Sequence, residues 1–305
     1  MQTVYLPAAA YHYLSLLAPC LAKKQPTHQA DAVRRDLPPS QVQIDMAKIT
    51  RVPKAHCAQC HQAEPLGFEF TMALQPIVRL SDRSIYSHEA LVRGLAGESA
   101  RWVFEHVNAD NLFRFDQACR VKAIQLASQL RMESHLNINF TPTAVYHPER
   151  CIQSTLEFAR ATGFPLERII FEFTETEKAN SPAHLNDIVE CYRSLGFKTA
   201  IDDFGACYSG LNLLAQLKPD QVKLDAVLVR NIDRDRRRQA IVRGLVDICR
   251  ELEVELLCEG IETADELAAC ADTGIDLCQG YWFAKPLLEA MPSLNPGCFE
   301  PLGKR

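Results

Sequence analysis

A chain of 305 residues, 47% hydrophobic and 23% charged, holds enough apolar material for one large domain plus an appendage, or for two ordinary domains. Its formal net charge of −5 leaves no broad basic footprint and argues against binding duplex nucleic acid, though not against one nucleotide-sized anion in a local pocket. Its 12 cysteines are scattered, most in apolar contexts such as Cys249 within VDICREL, which fits free thiols in a reducing compartment and not a disulfide framework.

In chain order, residues 4–19 are fairly apolar, but no basic side chain precedes them, and Lys23 and Lys24 follow the run. That is the wrong order for a signal peptide, and Pro19 before Cys20 argues against a lipoprotein cleavage site. The run is too short and interrupted for a membrane span, so a cytoplasmic protein is expected. Residues 21–55 are polar and carry Pro26, Pro38, Pro39 and Pro53, which reads as a linker or weakly ordered segment. A compact cysteine-histidine knot follows at 56–61.

From about residue 67 the texture changes. Phe68–Leu80 is strand-like, Ser81-Asp82-Arg83-Ser84 is a turn, and Ile85–Val92 is a second strand, so this pair is expected to run antiparallel. Phe115–Leu130 carries apolar residues at helical spacing. Six short strands are expected at Leu136–Phe140, Ile169–Phe173, Thr199–Ile201, Gln221–Leu224, Glu255–Cys258 and Leu277–Gln279. Amphipathic helices are expected at about 150–162, 182–195, 209–216, 234–252 and 263–273. Such alternation predicts an α/β fold with a mostly parallel sheet covered by helices, closed or open.

Acidic and amide residues gather at the strand ends. They are Glu89, Asn139, Glu172, the doublet Asp202-Asp203, and Glu259, with Lys223 and Gln279 in similar positions. In a barrel, the C-terminal strand ends converge on one mouth. Two adjacent carboxylates after a buried strand repel each other, and a proton or a cation would relieve the repulsion. Five carboxylates and one Asn form an all-oxygen set, suited to Mg²⁺ or Mn²⁺ better than to zinc, with Ca²⁺ also fitting. Lys223 could snorkel to water, assist deprotonation of a metal-bound water, or hold phosphate charge.

Read together, Gln75-Pro76-Ile77, HEALVRG around Glu89-Ala90-Leu91, LNINFT, Glu172-Phe173-Thr174-Glu175, Asp202-Asp203-Phe204-Gly205, Lys223-Leu224-Asp225, Glu259-Gly260-Ile261-Glu262 and Gln279-Gly280-Tyr281 resemble the ordered motifs of EAL domains. The resemblance covers about 66–290, leaving an extension at 1–65 and a tail at 291–305. It implies a TIM-like (β/α)8 barrel with an antiparallel first strand. It also implies hydrolysis of cyclic di-GMP to linear pGpG with two Mg²⁺ or Mn²⁺ ions, by a homodimer. Glu89, Asn139, Glu172 and Asp202 resemble the ligands of one ion, and Asp202, Asp203 and Glu259 those of the other, with Asp202 bridging. Lys223 resembles the residue that helps activate the attacking water, Gln279 a contact in the water or metal shell, and Glu175 the anchor of the loop after Asp203. Arg93 would pair with a substrate phosphate. Gln75 and Leu91 would shape the guanine pocket, and Asp225 and Glu262 join the substrate-facing set. The rival expectation is a catalytically silent cyclic di-GMP receptor or a protein-interaction module, but such degenerate relatives would be expected to lose metal ligands, and none is missing here.

Two features depart from, or stand outside, the resemblance. Cys207 replaces a glycine in the loop after the Asp doublet, where a side chain would penalise a positive φ. The knot His56-Cys57-Ala58-Gln59-Cys60-His61 contains Cys-x-x-Cys-His, also the pattern of c-type haem attachment, which needs export and sits badly with a cytoplasmic reaction. Zn²⁺ held by Cys57, Cys60 and His61, a redox dithiol, and an ordinary surface turn all remain open.

Overall fold

The computed structural model describes residues 66–174, 182–206 and 210–303. The Cys57, Cys60 and His61 knot, Glu175 and Cys207 lie outside the described residues.

Eight strands close into a barrel: β1 (Thr71–Arg79), β2 (Ser84–Arg93), β3 (His135–Asn139), β4 (Ile169–Thr174), β5 (Lys198–Phe204), β6 (Gln221–Leu224), β7 (Glu255–Cys258) and β8 (Leu277–Gln279). Strands β2 to β8 run parallel in sequence order, and β1 closes the ring antiparallel to both β2 and β8. A two-residue strand, β9 (Leu287–Leu288), adds antiparallel to β1 at Ala73 and Leu74. The fold is therefore the TIM-like barrel with an antiparallel first strand that the sequence implied.

The reversal of β1 has a local cause. Asp82 Oδ1 accepts from Ser84 N (3.1 Å) and Ser84 Oγ (2.6 Å), and Arg83 adopts φ 55°. A side-chain-closed turn this short can join antiparallel strands only, because a parallel crossover needs a dozen residues or more.

Helices cover the outside: α1 (Ala100–Phe104), α2 (Leu112–Gln129), α3 (Pro148–Cys151), α4 (Gln153–Thr162), α5 (Pro182–Ser194), α6 (Gly210–Gln216), α7 (Ala226–Val229), α8 (Arg236–Glu251) and α9 (Ala264–Thr273). The single helix expected at 150–162 starts earlier, at Pro148, and is interrupted at Ile152. Helix α9 opens on a capping box, in which Thr263 and Glu266 each accept from the other's backbone N–H.

One buried charge cluster fastens the helices to the barrel. Arg120 of α2, 1% exposed, contacts Asp116 Oδ2 (2.6 Å) and donates to Tyr192 OH of α5 (2.7 Å). Its guanidinium lies 5.3 Å from the ring centroids of both Phe140 and Phe171. Asp116 Oδ1 accepts from Thr141 N (2.9 Å), just beyond β3.

The segment expected as a C-terminal tail packs back as far as residue 303. Asn295 N donates to Phe283 O (2.7 Å), Trp282 Nε1 donates to Cys298 O (2.8 Å), and Cys298 and Leu302 are buried.

Candidate active site at the barrel mouth

Side chains alternate along a strand, so every second residue points into the barrel. At the C-terminal ends of β2, β4, β5 and β6 the inward residues are Glu89, Glu172, Asp202 and Lys223, and Glu259 follows β7 directly. Lys223, 0% exposed, stands at the centre. Its Nζ lies 2.7 Å from Glu259 Oε1, 2.9 Å from Glu172 Oε2, 3.1 Å from Asp202 Oδ1 and 3.5 Å from Glu89 Oε2. Glu89 also accepts from Asn139 Nδ2 (2.9 Å) and Gln279 Nε2 (2.8 Å). Gln279 Nε2 reaches Gln75 Oε1 at 3.2 Å, and Gln75 Nε2 donates to Ala284 O (3.2 Å).

Backbone irregularity completes the ring. Asp203 takes φ 53°, and the β5–β6 ladder shifts register between Ile201 and Phe204. A left-handed Asp costs conformational energy that surrounding structure must offset, and such strain concentrates at functional sites. The kink brings the second carboxylate of the doublet beside the first. Ligand oxygens of Asp202, Asp203 and Glu259 lie within 4.8 Å of one another, as do those of Glu89, Glu172 and Asp202. Asp202 belongs to both groups. Gly280 is required on the same rim, since a Cβ there would sit 2.1 Å from Ile261 O, where the two loops cross.

The ring is electrostatically overloaded. Burial pushes the Glu172 carboxyl up to about 8 and Asp203 up to about 7, and it raises Asp202 and Glu259 as well. Neighbouring carboxylates add to each of these shifts. Burial also opposes ionisation of Glu89, but Lys223, Gln279 and Asn139 outweigh it and hold this acid below its usual value. Lys223 is buried, yet the surrounding carboxylates raise it well above its ordinary value and keep it an ammonium. Five carboxylates face one lysine, a surplus of 5 − 1 = 4 negative charges when all are ionised. Two divalent cations would balance that surplus, and the donors are the hard oxygens that Mg²⁺, Mn²⁺ and Ca²⁺ take. The residues fit a two-ion centre with Asp202 shared.

The other expected site residues are spread over the rim. Leu91 and Arg93 continue the inward face of β2 above Glu89 and are half-buried. Arg93 Nη1 donates to Val92 O (2.7 Å); burial lowers its pKa, offset in part by Tyr281 and Glu89, whose charges it feels. Asp225 caps α7, accepting from Val227 N (2.7 Å), and its charge helps raise Asp203. Glu262 is ion-paired with Arg230 at 2.8 Å. Asn137, which the strand-end pattern alone does not single out, donates to Glu172 Oε1 (2.6 Å). Asn137 stands two residues before Asn139, so strand periodicity was the signal for it.

The family model described as EAL domain matches residues 62–286. The chain belongs to the EAL domain family. Among solved structures it is similar to a standalone EAL protein of Vibrio cholerae O395 in its c-di-GMP bound form, at 52% identity and TM-score 0.75, covering 77% of this chain and 99% of that one. It is also similar to BlrP1 of Klebsiella pneumoniae in a manganese/cy-diGMP complex, at 36% identity and TM-score 0.70, covering 75% of this chain and 58% of that one. Among curated proteins, the cyclic di-GMP phosphodiesterase RocR of Pseudomonas aeruginosa is 30% identical over 273 residues, 85% of this chain and 66% of RocR. The blue light- and temperature-regulated antirepressor BluF of Escherichia coli is 28% identical over 223 residues, 73% of this chain and 55% of BluF. The chain thus spans a little over half of BluF and just under two thirds of RocR.

Proposed function

We propose that this EAL domain hydrolyses cyclic di-GMP to linear pGpG with two divalent ions. The observation that supports the reading is the acidic ring, in which the carboxylates of Glu89, Glu172 and Asp202, and those of Asp202, Asp203 and Glu259, form two groups that could each hold an ion, with Asp202 in both. Relatives named as cyclic di-GMP phosphodiesterases, and the complex of BlrP1 with manganese and cyclic di-GMP, support it.

Glu89, Asn139, Glu172 and Asp202 would hold one ion, and Asp202, Asp203 and Glu259 the other. When bound, such a pair would supply an activated water at neutral pH and positive charge for the phosphoryl oxygens. The chain's own residues supply the rest. Lys223 holds its proton among four carboxylates, so its contribution to polarising the nucleophile is positive charge. Arg93, half-buried at the rim, offers a planar fork to a substrate phosphate. Gln279 fixes the Glu89 carboxylate and Gln75 at once. Leu91 and Gln75 would border a guanine base, with Asp225 and Glu262 further out, and Glu175 would anchor the loop after Asp203.

The domain is proposed to span 66–290, with 1–65 as an extension. The proposed substrate, a nucleotide second messenger, would put the reaction in the cytoplasm. The exposed face of α8 supports a homodimer. Ile241 (50% exposed), Ile248 (40%) and Leu252 (51%) form a stripe at helical spacing with the open Gly244 between them. Arg236 and Arg237 stand at the helix N-terminus, against the macrodipole, and Glu251 and Glu253 at the other end. A two-fold antiparallel pairing would set each basic end against the partner's acidic end. Sedimentation of the parent and of Ile248→Arg tests this, with dimer expected for the first and monomer for the second.

The deciding assay is incubation with cyclic di-GMP and Mg²⁺ or Mn²⁺, followed by chromatography. A peak of pGpG is expected. Tight binding without product under both metals would favour a silent receptor or interaction module instead, the kind of role BluF's name as an antirepressor describes for that protein.

A further inference from the structure

One layer below the acidic ring, the barrel interior is divided. On one side Ile77, Leu257 and Leu277 form an apolar cluster backed by Tyr86. On the other side stand three polar residues, Ser87 (0% exposed), Asn137 (0%) and Gln221 (1%), with the apolar Ile170 beside Asn137. Each lies two residues before a residue of the ring, namely Glu89, Asn139 and Lys223, so each points into the lumen. Between β3 and β6 the lumen-facing position next to Gln221 is the small Ala200. Asn137 and Gln221 meet across that gap, with Asn137 Nδ2 lying 3.4 Å from Gln221 Oε1.

As core packing this layer is a poor choice. Ser87 Oγ, Asn137 Oδ1 and Gln221 Nε2 are buried and have no partner among the described residues. Unpaired buried polar atoms destabilise a fold, and the apolar half of the same layer shows what packing alone would select. The one strong bond the layer makes is functional in direction. Asn137 Nδ2 donates to Glu172 Oε1 at 2.6 Å, while Lys223 Nζ holds the other oxygen at 2.9 Å. Both oxygens of this carboxylate are therefore fixed, one from within the ring and one from below.

We propose that Asn137 is a positioning residue that presents Glu172 to a divalent ion, with Gln221 aligning the Asn137 amide. This rests on the two-ion reading of the ring. Partners that orient a ligand from outside the coordination sphere set metal affinity by fixing ligand geometry, and their loss weakens binding about 10–100-fold. The same amide is a liability to the fold, so its removal has opposite effects on the two properties.

The test is Mn²⁺ titration of the full chain, read by the electron paramagnetic resonance of free Mn²⁺, alongside urea unfolding in EDTA. Asn137→Leu, similar in volume and lacking the donor, should unfold at an unchanged or higher urea concentration and bind Mn²⁺ at least about tenfold more weakly. Gln221→Leu should weaken Mn²⁺ binding by less, about two- to threefold, because it touches Glu172 only through Asn137. Asn137→Ser, which keeps a donor, should recover part of the lost affinity. Parent-like Mn²⁺ affinity in a folded Asn137→Leu would overturn the assignment while leaving the two-ion reading intact. A parent chain that binds no Mn²⁺ would overturn both.

Discussion

Two buried charge clusters, one between the barrel and its helices and one in the barrel mouth, are built on opposite terms. Around Arg120 the account is balanced: one guanidinium, one carboxylate at 2.6 Å, a tyrosine hydroxyl at 2.7 Å and two aromatic faces. Around Lys223 one ammonium faces the carboxylates of Glu89, Glu172, Asp202 and Glu259, with Asp203 close behind. The first pairs one base with one acid and ties helices α2 and α5 to the strands beside them. The second leaves acids strained by burial and by each other, a state that stability alone does not favour. Buried charge by itself marks neither structure nor function; its imbalance separates the two.

The largest contrast should come from deleting one charge on each side. Glu259→Gln is isosteric and removes an acid that burial already raises. Hydrolysis of cyclic di-GMP, followed by chromatography, should fall on the order of a thousandfold, while the urea midpoint does not fall. Arg120→Met should do the reverse. It strands Asp116 in the core and should cost about 3–5 kcal/mol in urea unfolding, with little change in turnover per folded molecule. If Arg120→Met spares stability and abolishes turnover, the two clusters have been assigned the wrong way round.

A smaller effect distinguishes the clusters through ligand binding. Mn²⁺ at a hundredfold excess over its Kd should stabilise the parent by about 2.7 kcal/mol, seen as a rise in Tm that EDTA reverses. In Glu259→Gln the rise should shrink, and in Arg120→Met it should persist on a lower baseline.

The smallest effect is on pH. Glu172 and Asp203 have folded pKa values near 8 and 7, above their ordinary values of 4.5 and 3.8. In EDTA the folded state therefore binds more protons than the unfolded state above pH 4, and the ring's contribution to stability declines as pH rises through 7 and 8. Ligation needs the ionised acids, so Mn²⁺ affinity should climb over the same window, with protons released on binding. Calorimetry in buffers of different ionisation enthalpy measures that release. Equal affinity at pH 6 and pH 8 would contradict the shifts.

Much of this was legible in the residues. Strands Gln221–Leu224, Glu255–Cys258 and Leu277–Gln279 fall at their expected bounds, because short apolar runs between turn signals leave little freedom. The ring was legible as acids at strand ends, since parallel strands of a barrel deliver those ends to one face. Helix α1 and strand β9, five and two residues long, are too short to show a period. The Asp doublet announced mutual repulsion but not its resolution, a left-handed Asp203 at a register shift. Asn137 and Gln221 were hidden for another reason. A polar residue inside a barrel reads as an ordinary strand residue until the ring above it shows what it touches.

The direction of β1 has a consequence for how such a domain can be wired. Seven strands climb from base to mouth, but this first one descends, pairing Thr71 with Arg93 at the rim. In a barrel whose first strand climbs, anything spliced ahead of it would be tethered beneath the floor, remote from chemistry. Here the chain enters β1 at the rim instead, at Thr71 beside Arg93.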